Sequence, residues 1–169
     1  MQWIGALLFI GTTTLAGFDI SKRLNERPRD IRQMKNALQM LEAEILYSQL
    51  PLPDVFATIA TQIPQPTGSF FDGIETSLRQ HADLHDIWDK HVEDLIKRSA
   101  FASSEGEILK QFGRTLGQHD FEQQQKHIYL TLKHLDRELD EARDQQFRYS
   151  KMARTLGLLC GLFIVLLLI

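Results

Sequence analysis

The sequence predicts an all-α fold: an antiparallel six-helix bundle flanked by N- and C-terminal transmembrane helices. Three observations predict it. Apolar residues recur at intervals of three and four along most of the chain, and no stretch alternates as a strand would. Both ends are charge-free apolar runs, Met1 to Phe18 and Thr155 to Ile169. Basic side chains gather on the inner flanks of those runs.

As helices the two runs would be about 27 and 22 Å long, against a hydrocarbon core of about 30 Å. Local thinning and snorkelling of the flanking Lys and Arg side chains accommodate such lengths. A cleaved signal peptide should carry a basic residue ahead of its apolar stretch and a small-x-small site behind it. The first basic residue is Lys22 and "TLAGF" holds no such site, which favours an uncleaved anchor. Residues 19–35 carry six basic and three acidic side chains, and residues 143–154 carry four and one. Residues 36–142 are left with nine basic and eighteen acidic, so the overall net charge of −3 hides a dipolar molecule. Because Lys and Arg at membrane ends stay on the cytoplasmic side, the expected organisation is an anchor over 1–18, a cytoplasmic bundle over 19–154 and a second anchor over 155–169. Membrane lipid is then an expected partner, since the basic collar would be drawn to anionic headgroups. The acidic balance excludes nucleic acid.

The first helix of the bundle carries Ile31, Met34, Leu38, Leu41 and Ile45 as one apolar stripe, with Pro28 expected in its first turn, where a missing N–H costs nothing. Pro51 and Pro53 end it. A second helix is expected from about Asp54 to Ile63, with Val55, Phe56, Ile59 and Ile63 inward. A third short one carries Phe70, Phe71, Ile74 and Leu78. The fourth, "DLHDIWDKHVEDLIKRS", places Leu84, Ile87, Trp88, Val92, Leu95 and Ile96 on one face. A fifth is expected to start at a capping box, Ser104 with Glu107, and to end near Gly117. The sixth begins with Asp120 as N-cap and Gln123 at N3, continues through Phe121, Ile128, Leu132, Leu135, Leu139 and Ala142, and meets no breaker before Gly157. These stripes bury against one another in a bundle, which the short intervening helices favour over coiled-coil oligomerisation.

Little in the chain resembles a reaction centre. His81, His85 and Asp89 share a helical spacing but lack a further ligand and the HExxH arrangement, and His127 and His134 are seven apart; solvated or boundary histidines account for them. "GRTLG" has no phosphate-binding pattern, and a C-cap and a close-packing position explain its two glycines better. Glu42 with Glu44, and Glu93 with Asp94, diverge as helical neighbours must, which suits a docking face better than paired catalysis. The single cysteine, Cys160, can build neither a disulfide framework nor a cysteine metal site. No cofactor is called for and nothing supports an enzyme.

Three blocks, "ERPRDIRQMKNALQMLEAEI" (Glu26 to Ile45), "LKQFGRTLGQHDFEQQQKHI" (Leu109 to Ile128) and "KMARTLGLLCGLFIVLLLI" (Lys151 to Ile169), closely resemble the stage III sporulation protein AB family of endospore-forming bacteria. The resemblance spans the whole chain, with residues 52–103 carrying the least of it. It implies a mother-cell membrane component of the channel complex joining mother cell and forespore. It also implies a cytoplasmic domain similar to the inner-membrane platform protein of type II secretion and type IV pilus systems, itself a six-helix bundle. A secretion-type ATPase of the same complex is the partner this analogy implies. Carried onto the matching blocks, Arg27, Pro28, Arg29 and Arg32 lie where the first helix leaves the membrane and would set its start and hold headgroups. Glu42 and Glu44, roughly 20 Å farther along the helix, would meet a basic surface of the motor. Gly113, Gly117, His119 and Asp120 form the turn between the last two helices, the glycines ending one helix and Asp120 capping the next. A membrane-anchored signalling or adaptor protein, binding a soluble regulator through its acidic bundle, is the alternative; a metal-dependent membrane hydrolase is a third.

Overall fold

A computed structural model describes the backbone of residues 2–47, 50–80, 83–117 and 121–168. It describes side chains over 22–47, 50–80, 83–117 and 122–149, and at Met152. Six helices follow one another: α1 (Gln2–Tyr47), α2 (Leu52–Gln62), α3 (Thr67–Leu78), α4 (Leu84–Arg98), α5 (Ser103–Gly113) and α6 (Phe121–Leu168). The all-α six-helix bundle expected from the periodicity is what forms. The flanking transmembrane helices are corrected: among the described residues, no helix is long and apolar enough to cross a membrane. The side chains of residues 1–18 and 155–169, which carry the two apolar runs, lie outside the description.

The long helices α1 and α6 run antiparallel as a stem. Gln146 donates to Asn25 Oδ1 at 3.2 Å, and Lys35 pairs with Asp136 ten residues along each helix, which fixes the register. The short helices α2 to α5 pack on one end of this stem, with α2 against α3, α3 against α4, and α4 against α5. The apolar stripe of α1 is fully buried at Ile31, Met34, Leu38 and Leu41. On α6 the matching stripe is Ile128, Leu135, Leu139 and Ala142.

Trp88 of α4 sits at the centre of the short-helix half. Its ring meets Phe56, Phe70, Phe71 and Phe112 at centroid distances of 5.1–6.2 Å, mostly edge to face. Its indole N–H, buried with the ring, donates to the Leu109 carbonyl at 2.7 Å. Gly113 is the surface on which that ring rests: a Cβ there would lie 2.2 Å from Trp88 Cδ1. Close packing, rather than helix termination alone, is what a glycine serves at this position.

Helix boundaries depart from the sequence expectations at three places. Pro28 lies inside α1, not in a first turn. An interior proline forfeits a backbone hydrogen bond and costs about 3 kcal/mol in an isolated helix; here α6 packs alongside and the neighbouring Arg27 and Asp30 are tied into the fold. The fifth helix has Ala102 as N-cap and Glu105 at N3, so the box is shifted from Ser104 and Glu107. Glu105 accepts from the Ala102 N–H at 2.8 Å, the half of the arrangement that an alanine N-cap permits. Finally, α5 ends at Gly113, and Gly117 follows with φ +79°, a left-handed conformation that favours glycine. His119 and the expected cap Asp120 lie outside the described residues, whereas the Asp83 cap of α4 accepts from the His85 N–H at 2.7 Å.

Candidate interaction surfaces

The five residues singled out by sequence all lie on α1, and the fold gives them three different environments. Arg27 is buried. Its Nε donates to Glu105 Oε1 at 2.8 Å, Nη1 to Gln145 Oε1 at 3.0 Å and Nη2 to Glu138 Oε2 at 3.0 Å. One guanidinium thus ties α1 to α5 and α6, and its fork geometry suits such divided pairing. Glu105 has no solvent exposure, and Ser104 Oγ donates to Glu138 at 2.8 Å, so the carboxylates are held from both sides.

Three residues of this node, Glu105, Glu138 and Gln145, escaped the sequence reading. The signal was present. Arg27 precedes Ile31 and Met34 on the buried stripe of α1, and Glu105 precedes Leu109 and Phe112 on that of α5. A charge that falls on an apolar stripe needs an opposite charge on a facing stripe.

Asp30 is the second buried charge of α1, and its Oδ2 accepts from the Ala100 N–H at 3.1 Å. Burial raises its pKa above the ordinary 3.8, with the Ala100 hydrogen bond opposing. The folded state therefore holds the proton to higher pH than the unfolded state does. The sign follows: stability from this group falls as pH rises from 3.8 through the folded value, and the cost persists at neutral pH. Asp30→Asn, which keeps an acceptor for Ala100, is expected to match or exceed the wild-type stability at pH 7. Its advantage should shrink as pH is lowered through the carboxylate range in urea titrations run at each pH. Asp30→Ala strands the amide and should destabilise by about 1–3 kcal/mol.

Arg29 and Arg32 are exposed on α1. With its amide oriented to satisfy both neighbours, Gln33 accepts from Arg29 Nε and donates to the Gln65 carbonyl, each at 3.2 Å. Glu42 and Glu44 are half-exposed and lie about 20 Å from Arg29 along the axis. The stem register sets Glu42 level with Tyr129 of α6. Four exposed large apolar side chains belong to this same end: Tyr47, Leu50, Tyr129 and Leu130.

Among the described residues no three His, Cys, Asp or Glu side chains gather to hold a metal ion. His81 lies outside the description, and His85 Nδ1 is 2.9 Å from the Gly113 carbonyl, a packing contact. His127 and His134 line a shallow groove between α5 and α6.

Comparison with known proteins places the chain. The family model for stage III sporulation protein AB matches residues 2–169. Stage III sporulation protein AB of Bacillus subtilis (strain 168) is 40% identical over 169 residues, covering 99% of each chain. A solved structure of a stage III sporulation protein AB superposes with a TM-score of 0.69 at 41% identity, covering 73% of this chain and 98% of that one. The chain therefore belongs to the stage III sporulation protein AB family, and its part in sporulation is a non-enzymatic one.

Proposed function

We propose that this protein is a platform component of the channel complex at the mother-cell membrane facing the forespore, and that it docks the complex's secretion-type ATPase on the cytoplasmic side through the far end of its stem. The observation that carries the reading is the coincidence of charge and apolar surface there. Glu42 and Glu44 are half-exposed on the same end of the stem as the exposed Tyr47, Leu50, Tyr129 and Leu130. Exposed aromatic side chains with a charged rim are the composition of a protein-binding patch. Residues 2–21 and 150–168 of the two long helices extend from the opposite end of the stem.

Binding of the ATPase to the full-length protein, followed by biolayer interferometry, tests the reading. Reversal of both carboxylates, Glu42→Lys with Glu44→Lys, is expected to weaken binding at least about tenfold, mainly through faster dissociation. Unchanged affinity would remove the acidic contact, and no binding by the wild type would remove the motor from the reading while leaving the family role in place.

A further inference from the structure

His91 of α4 is held against α3 by contacts that depend on its charge. Gly73 of α3 lies under the imidazole, and a Cβ there would come 2.6 Å from Cε1 and 2.9 Å from Nδ1. Nε2 is 3.1 Å from Ser77 Oγ, one turn farther along α3. Both ring nitrogens therefore lie against α3. In the neutral ring one nitrogen carries a proton, and the Ser77 hydroxyl donates to or accepts from Nε2, so either tautomer fits. The imidazolium carries a proton on both, and Gly73 offers Nδ1–H no hydrogen-bond partner among the described residues.

The groups around the ring do not supply that partner. From α3 it meets Gly73 and Ser77, both neutral. On α4, Asp94 favours the charged ring and Lys90 opposes it, and the Asp94 carboxylate also has Lys97 at 3.5 Å. The ring borders a groove between α3 and α4 whose other charged lining residue, Arg98, is again positive, while Gln65 and Ser69 are neutral. Burial outweighs these charges and lowers the His91 pKa below the ordinary 6.5. The unfolded chain then takes up the proton more readily than the folded one. Stability from this contact is complete above 6.5 and is lost as pH falls from 6.5 through the folded value. At Asp30, which ties α1 to the Ala100 N–H, the sign is opposite. Mild acid thus weakens the α3–α4 contact without weakening the tie at Asp30.

We propose that His91 is a pH-operated latch between α3 and α4. With a neutral ring the two helices close across Gly73. With a protonated ring they part, because separation lets water reach Nδ1, and the groove floored by Phe70 and Leu95 widens. The stem, joined by Gln146 with Asn25, Lys35 with Asp136 and the Arg27 node, stays closed through the change. The device is a local opening of the short-helix half, driven by one histidine that titrates near neutral pH.

Hydrogen exchange of the full-length protein, followed by mass spectrometry at about pH 7.5 and about pH 5.5 and corrected for intrinsic rates, tests the latch. Protection of α3 and α4 is expected to fall by about threefold or more at the lower pH, while that of the stem stripes on α1 and α6 is unchanged. His91→Gln keeps a partner for Ser77 and does not titrate, so α3 and α4 should be equally protected at both pH values. Asp94→Asn removes the carboxylate that favours the charged ring and should enlarge the fall. Carbon-13 NMR of the wild-type His91 imidazole, which needs no folded variant, should show titration below 6.5 in step with the loss of protection. No fall, a fall spread equally over stem and short helices, or the same fall in His91→Gln overturns the proposal. So does titration of His91 at or above 6.5.

Discussion

Replacing Arg27 with alanine is expected to lower the unfolding free energy by about 3–5 kcal/mol, measured as a drop in urea midpoint at constant m-value. The size comes from what is left behind. Glu105 has no solvent exposure, and without the guanidinium its charge has only the Ala102 N–H and Ser104 hydroxyl as partners. Lysine should rescue little, because one ammonium cannot reproduce three donors directed at Glu105, Glu138 and Gln145. The decisive comparison is Arg27→Ala combined with Glu105→Gln. Glutamine still accepts from Ala102 but carries no charge, so the double variant should recover a large share of the loss. A double variant as unstable as Arg27→Ala alone would mean that packing of the arginine stem, not the stranded carboxylate, sets the cost.

Trp88→Ala is expected to cost a comparable amount, about 3–5 kcal/mol, and to broaden the unfolding transition of the short-helix half. Trp88 is fully buried and is the one ring that Phe56, Phe70, Phe71 and Phe112 all touch. Four different helices supply these five rings, so the cavity left by alanine cannot collapse without moving several elements at once. Trp88→Phe should cost less, since it keeps most of the ring contacts and gives up the hydrogen bond to Leu109. Calorimetry of the three proteins separates the contributions; equal losses for the two variants would assign the stabilisation to the indole N–H and not to packing.

The helices were legible because their signals are local. Ile31, Met34, Leu38 and Leu41 announce a buried face by spacing alone, and Pro51 and Pro53 mark a break. Where a local signal admits two registers, the sequence misled: Ser104 with Glu107 reads as a capping box as well as Glu105 does, and only the approach of Arg27 draws Glu105 inward. Pro28 reads as a helix start by the same local logic, yet α1 continues through it, with α6 held to Asn25 and Arg27 before the proline and to Lys35 after it. Length and hydropathy at the two ends suggested membrane spans, and no described helix meets that requirement.

By itself, then, the sequence determined the six helices, their inward faces and the family, since periodicity, breakers and motif blocks are carried by neighbouring residues. Only the tertiary structure decided the fate of individual charges. Arg27 and Arg29 are two residues apart in one basic cluster, but one turns into a three-helix node and the other faces solvent, because about 100° of helical rotation per residue separates core from surface within two positions. Gln33 meets Gln65 and Asp30 meets Ala100 across the bundle, contacts that no local pattern encodes.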